Sequence, residues 1–527
     1  MVRLAAWYES NGFSNIEVLV IRVDDSKWPS QSRIWDVTKT ATSLCLSGML
    51  RKPFYDHEYL IENCIPEPCV TRIRWEEMKA IICAKASEMR RSKKRKRAIF
   101  ESDGPGNETM LSDGWTFLYG PPTHRVLTKI GAFRSLSSTP LASPDDLVVL
   151  KDTTHCEDIH YYAPAHTLFT ACEDVSATRY QWFPPLATFR DASIAWNSKG
   201  SIHIIDPETR ESKRLTFENF DGPFITHGID VIPDPERAEN EAVYILAINH
   251  VPNQAVYPRD GSTPESDPGT APKAASRIEV FHHTIGGGSV KHIRTISHPL
   301  IKTPNDIFAI SQTELYVTND HYYYDGQMRQ IEDLWPGAHW SNVIHAVVSE
   351  DGKVEASVAL DNLHNPNGMG HGRTADEILV TSAVGGYMWV GKLGSSDAKT
   401  IDVAEIIDLD STTDNPSYYL DPYASTGDDV SGFVLPGLSK GIDLARHGHD
   451  PKVKEGAMAW HVTPSKNVTG DWDKKLLWED DGSIVKNAAA TLLVGIDPEK
   501  EGGKKKAWLY ITGFSSENMA AVKVDLS

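Results

Sequence analysis

The chain lacks most of the short motifs that announce a mechanism. It has no Gly-x-Ser-x-Gly turn, which argues against a serine hydrolase built on a nucleophile elbow. It has no glycine-rich phosphate loop and no His-Glu-x-x-His helix, so neither nucleotide binding nor a zinc protease is indicated. No run approaches the ~20 apolar residues that cross a bilayer. Met1 to Ser10 lack the apolar core and cleavage site of a secretory leader, so this N-terminus does not predict secretion. Cysteine is sparse, 6 in 527 residues, which excludes a disulfide scaffold and makes free thiols the expectation. Positive charge is in deficit: Lys+Arg 53 against Asp+Glu 72 leaves −19. Such a surface repels phosphate, so no nucleic-acid partner is expected.

Hydrophobic residues make up 40% and charged residues 24%, a globular composition. The 37 Gly and 31 Pro imply many turns, and 14 Trp, 18 Tyr and 15 Phe suit strands. The charge divides the chain. Residues 1–110 carry 18 basic and 15 acidic groups, whereas the remainder is net −22. Residues 1–110 therefore read as an N-terminal extension, in part without fixed structure. Within it Ile16–Val23 reads as a strand and Thr71–Arg97 as a helix ending in a basic run, Arg90–Arg97. Residues 111–145 read as a lead-in, helical in part. The mildly amphipathic stretch 115–135 within it packs on the domain body or touches a lipid surface.

From 146 to 527 one module recurs: three apolar residues, a Thr or similar, then a small residue. It appears at Leu168-Phe-Thr-Ala, Val243-Tyr-Ile-Leu-Ala, Leu315-Tyr-Val-Thr-Asn, Ile378-Leu-Val-Thr-Ser and Leu509-Tyr-Ile-Thr-Gly. The starts lie 75, 72, 63 and 131 residues apart, so the last gap hides one degenerate unit, for which Gly432-Phe-Val-Leu-Pro is the candidate. Six short buried strands in periodic order, with further strand pairs between them and no long helix, predict an all-β fold, a six-bladed β-propeller. Pro252–Ser276, rich in Pro, Ser, Gly and Asp, reads as an insertion.

A polar patch precedes each module: Cys156-Glu-Asp158, His227-Gly-Ile229, Pro304-Asn-Asp306, Pro366-Asn-Gly368 and Thr413-Asp-Asn415. Equivalent positions of propeller blades face one channel, so these carboxylates and amides should converge. Singly, an Asp or Asn before a strand most often caps a turn. Five in phase with the repeat point instead to a hard, oxygen-ligated cation, Ca²⁺ and not zinc or copper. His227 and His250 bracket one hairpin, which can set both imidazoles beside that cation to move a proton.

These strings, with Ile248-Asn-His250, Asn305-Asp-Ile307 and Thr318-Asn-Asp-His-Tyr322, resemble the serum paraoxonase/arylesterase family, calcium-dependent six-bladed propeller hydrolases. The resemblance runs collinearly from His155 to the C-terminus and is weak over Pro416–Lys475. It implies two calcium ions. Glu157, Asn305, Asn367, Asp414 and Asn415 would hold the catalytic one; Asp158, Asp306 and the carbonyl of Ile229 would hold the deeper one. His227 would act as general base, His250 as relay, and Asp320 and His321 would line the mouth. Cys-Glu-Asp occurs twice, and the copy at 156–158 is chosen over 172–174 because it precedes a module. The implied function is hydrolysis of lactones and aryl esters. Relatives are often secreted or membrane-associated. The family joins its two ends by a disulfide, but no cysteine follows Cys172, so that closure should be absent or replaced by strand pairing alone. Two rivals stay open: a sugar-lactonase or strictosidine-synthase-like propeller, and a non-catalytic propeller that binds a protein partner.

Overall fold

The computed structural model describes residues 124–527, save 395–398, 449 and 467, together with two short strands nearer the N-terminus. Two compact units are distinguished, Met1–Ser112 and Asp113–Ser527. In the first, Glu17–Ile21 pairs antiparallel with Val70–Arg74. The expected strand at 16–23 is thus present. The expected helix from Thr71 is corrected at its start, because Val70, Thr71 and Ile73 are β-branched and alternate along a strand. The basic run Arg90–Arg97 lies outside the described residues.

In the second unit six antiparallel four-stranded sheets follow one another. The first blade is Ile159–Tyr162, Thr167–Cys172, Ser201–Ile205 and Ser212–Arg214. The second is Thr226–Pro233, Ala242–Asn249, Arg277–Thr284 and Ser289–Ile296, with Thr216–Glu218 added in parallel at its outer edge. The third runs from Pro304 to Leu363, the fourth from Pro366 to Asp408 and the fifth from Ser417 to Asp480. The sixth is composite: Ala488–Ile496, Lys506–Gly513 and Met519–Asp525 come from the C-terminus, and Leu147–Leu150 from the start of the unit. Leu150 lies opposite Met519 and Leu147 opposite Val522. Strand pairing therefore closes this ring, as expected in the absence of a terminal cysteine pair. The six-bladed propeller is confirmed.

Each recurring module is the second strand of its blade, and Gly432–Leu438 is the degenerate one. The reason for three consecutive apolar residues is that a blade is covered on both faces. Ile378 and Val380 enter the core shared with the third blade, while Leu379 between them enters the core shared with the fifth. Side chains alternate with period two, and here both sets are buried. A core of this kind fills every interface between adjacent blades.

Residues 124–129 form a helical turn of the lead-in. Lys129 and Ile130 are buried, and the Lys129 ammonium bonds to Asp408 at 2.6 Å. Thr139 N donates to the Glu479 carbonyl at 2.8 Å. The described part of the lead-in thus packs on the propeller, with Phe133 as its exposed apolar side chain.

One expectation about cysteine is overturned. Cys156 and Cys172 form a disulfide. They lie at the open end of the first hairpin, where Ile159 pairs with Thr170, so the fold brings their sulfurs together. Sixteen residues of separation carried no sign of this.

Leu509, fully buried in the closing blade, tests how far the ring depends on its cores. Leu509→Ala should cost about 2–5 kcal/mol in denaturant unfolding, since the rigid neighbouring strands cannot collapse into the void.

Candidate functional site

The polar patches sit on the innermost strands or just before them, and three of the five fall at a break in the ladder. Pairing with the second strand skips between Thr226 and Ile229, between Pro304 and Ile307, between Pro366 and Met369, and between Ala488 and Thr491. The skipped residues are His227-Gly228, Asn305-Asp306, Asn367-Gly368 and Ala489-Ala490. A bulge releases two residues from pairing and turns their side chains off the sheet face. Four modular threonines brace these segments. Thr170 Oγ1 donates to Asp158 O at 2.5 Å, Thr318 Oγ1 to Asn367 O at 2.6 Å, Thr512 Oγ1 to Glu157 O at 2.6 Å and Thr381 Oγ1 to Gly368 O at 3.4 Å. Asp306 N donates to Thr318 Oγ1 at 3.0 Å. Two glycines permit the close approach of neighbouring blades. A Cβ on Gly228 would collide with Asp306, and one on Gly368 with Asn415.

These devices bring the predicted carboxylates and amides to one place. Asn415 Nδ2 donates to both Glu157 oxygens, at 3.1 and 3.2 Å. Asp158 Oδ2 accepts from Ile229 N at 3.0 Å, and Asp306 Oδ2 from Met369 N at 2.6 Å. Glu157, Asp158, Asn305, Asp306 and Asn415 are almost fully buried; Asn367 and Asp414 are half-buried. Burial, and then repulsion from Asp414 and Asp158, pushes the Glu157 carboxyl well above its ordinary range. Burial and the charges of Asp158 and Glu157 do the same to Asp306. Asp414 is raised by burial and Asp158. The Oδ1 atoms of Asn305, Asn367, Asp414 and Asn415 are buried with no hydrogen-bond partner.

Such a cluster calls for positive charge. Orphaned oxygens from three different blade segments, beside carboxylates that repel one another, fit an oxygen-seeking cation, which takes ~6–8 oxygens. No three His, Cys, Asp or Glu side chains form a metal-binding group among the described residues. The converging donors are mixed, with asparagine amides and backbone interleaved among the acids, and this mixture suits calcium better than a transition metal.

The two histidines stand beside the cluster. His250 Nε2 and His227 Nδ1 are 3.2 Å apart, and His227 Nε2 is 3.7 Å from Glu157 Oε1. Burial drives His250 down to about 3 and His227 well below the usual imidazole value, so both are neutral near pH 7. Phe183 packs edge-on against both rings, at 5.2 and 6.3 Å, and the Arg179 guanidinium lies 3.8 Å over its face. Sequence reading missed Phe183 and Arg179, which arrive on a connection between strands and carry no repeat signal.

Asp320 and His321 are buried, and the charge of Asp320 acts on both imidazoles of the pair. His321 Nδ1 meets Asp320 at 3.0 Å and its Nε2 meets Asp333 at 2.5 Å. Burial and Arg329 push His321 down, but the two aspartates outweigh them and hold it at about 9. Asp333 comes from the helix Gly326–Leu334, which also sends Arg329 to the carbonyl of Pro185. The second Cys-Glu-Asp copy is engaged elsewhere: Glu173 accepts from Ser198 Oγ at 2.6 Å and Asp174 pairs with Arg214 at 2.5 Å.

With this arrangement in view, comparisons with known proteins show what the chain is similar to. Residues 269–430, spanning the third and fourth blades, match the family model described as Arylesterase. Serum paraoxonase/arylesterase 1 of Mus musculus is 28% identical over 223 residues, 41% of this chain and 51% of that protein. Over these segments the chain is similar to the serum paraoxonase/arylesterase family. Serum paraoxonase/arylesterase 1 of Homo sapiens is 31% identical over 159 residues, 29% of this chain and 38% of its own length. The chain thus spans about half the length or less of these paraoxonase relatives. Among solved structures, a luciferin-regenerating enzyme is similar with a TM-score of 0.36 and 10% identity, over 72% of this chain and 95% of that one.

His321 offers a test of the site's electrostatics. Its raised value means that its pairing stabilises the fold fully below pH 6.5, and that this stabilisation is lost as pH rises through about 9. In Asp333→Asn, NMR titration should find His321 moved down from about 9, and thermal stability should fall less between pH 6.5 and 9 than in the parent.

Proposed function

We propose that this protein is a calcium-dependent hydrolase of lactones and aryl esters. The observation that carries the reading is the neutral His227–His250 pair, 3.2 Å apart, placed against a buried oxygen cluster that lacks compensating charge. The similarity to arylesterases supports the hydrolytic class. Glu157, Asn305, Asn367, Asp414 and Asn415 would hold one Ca²⁺, and Asp158, Asp306 and the Ile229 carbonyl a second. When bound, the first ion supplies electrostatic polarisation of a substrate carbonyl and of the charge that develops on it.

The chain's own residues handle the protons. His227 presents Nε2 toward the cluster and keeps Nδ1 for His250. Water attacks the ester carbon while Nε2 takes its proton. The proton on Nδ1 then passes to His250 Nε2, so that the positive charge moves to His250 and His227 returns to neutral. The ester C–O bond breaks, and its oxygen leaves with the proton returned through the pair, giving acid and alcohol, or one hydroxy acid from a lactone. Phe183 and the adjoining Phe514, stacked at 6.3 Å, give the site an apolar wall that suits an acyl or aryl group and keeps bulk water off the imidazoles. Phosphotriesters would be accepted as a side activity.

Two measurements test this. His227→Gln should lower kcat for a simple lactone by ~10²–10⁴ while the protein remains folded. Purified chain should contain calcium, two ions per molecule, and lose turnover of a lactone and an aryl ester when a chelator removes them. Full turnover of a metal-free preparation would overturn the proposal, and inactivity of calcium-replete protein on lactones, aryl esters and phosphotriesters would favour the partner-binding propeller.

A further inference from the structure

The expected insertion Pro252–Ser276 does more than lengthen a loop. It leaves the second blade directly after His250 and rejoins it at Arg277, so its two ends lie side by side. Asn249 and Arg277 are the last paired residues of the two strands. The next position outward sets His250 opposite Ser276, at the distance where cross-strand side chains meet. Ser276 Oγ lies 2.8 Å from His250 Nδ1. This is the ring nitrogen that His227 does not use.

The base of the insertion is clamped, which fixes that contact. Ala275 N donates to Val251 O at 2.9 Å, Asn253 N to Lys273 O at 2.8 Å, and Asn253 Nδ2 to Pro272 O at 2.7 Å. Asn249 Nδ2 and Arg277 Nε both donate to Glu279 Oε1, at 3.1 and 2.7 Å, locking the pair just inside. The body of the loop reaches the other side of His250. Tyr257 packs edge-on to Trp182 at 5.6 Å, and Trp182 Nε1 donates to the His250 carbonyl at 2.8 Å. The insertion therefore touches the ring of this histidine directly through Ser276, and its backbone only by way of Trp182.

We propose that Ser276 is a positioning residue for the histidine pair: its hydroxyl holds the His250 ring and accepts from Nδ1 when His250 carries the relayed proton. The inference rests on the relay assigned to His227 and His250 above. A neutral imidazole bears one N–H, and a hydroxyl can donate or accept. While His250 is neutral, Ser276 can meet either tautomer. Once Nε2 has received the proton from His227, Nδ1–H must donate, and Ser276 Oγ is the acceptor in reach. Without it, the buried Nδ1–H of the tautomer able to accept at Nε2 would go unpaired, most unfavourably once the ring is charged. No atom is added or lost: the hydroxyl rotates, and the proton stays on the imidazole.

The test uses the full-length, calcium-replete chain with a simple lactone. Ser276→Ala should lower kcat about tenfold with KM within about twofold, and Ser276→Thr, which keeps the hydroxyl, should restore most of the rate. In a His250→Gln background, Ser276→Ala should add nothing, because the two act as one unit. Unchanged kcat in Ser276→Ala, or full additivity with His250→Gln, would overturn the assignment. A readout that needs no substrate separates this idea from the relay itself. Imidazole ¹⁵N shifts of His250 in the resting protein should change on Ser276→Ala and revert in Ser276→Thr. If His250→Gln alone leaves kcat intact, the relay falls, and the ¹⁵N shifts then decide the contact: no change in Ser276→Ala ends the proposal.

Discussion

Several carboxylates share one buried axis, and much of the architecture answers to that fact. Glu157, Asp158, Asp306 and Asp414 lie within one another's fields, and burial removes the water that would screen them. Nearby cations of the chain do not resolve the problem. Arg179 stands behind Phe183, and the two adjacent imidazoles are themselves driven neutral by burial. Folding energy alone would not select such a centre. It is intelligible if the charge is completed by a cation, and it places proton-accepting nitrogens beside a field able to organise a polar carbonyl.

The rest of the inner surface is built to hold these groups against their repulsion. Bulges in four inner strands release paired residues inward, and threonines from the second strands bond the released backbone. The threonine of the recurring module thus has a task apart from packing: it bonds the inner segment of its own blade or of the next one round the ring. In the sixth blade the bulge exposes Ala489 and Ala490, so no donor side chain enters from that side, although the Ala489 carbonyl accepts from Asn415 N at 2.9 Å. The rigidity comes from outside, from interblade cores that cover every second strand on both faces.

Much of this was legible in the residues, for a definite reason. A propeller repeats its local chemistry, so the module marked the six second strands, and the polar patches marked five approaches to the axis. Collinear strings such as Thr318-Asn-Asp-His-Tyr322 carried the family resemblance. Groups that enter the site once and from outside the repeat stayed hidden. Phe183, Arg179 and Asp333 arrive on connections, where no period singles them out. The Cys156–Cys172 bond was missed because sparse cysteines argue for thiols, and only the hairpin register sets those two beside each other. The strand at Val70–Arg74 was read as helix because charge obscured a short β-branched alternation.

The amino-acid order by itself determined the blade number, the strands and the chemical kind of the central groups, since periodic burial and residue type are written locally. Tertiary structure decided which oxygens lost their partners, which imidazole nitrogen faces the carboxylates and which serine meets the other ring. Those outcomes depend on bulges and on contacts between segments tens to hundreds of residues apart. A change of a few ångströms there decides whether two groups share a proton or never meet.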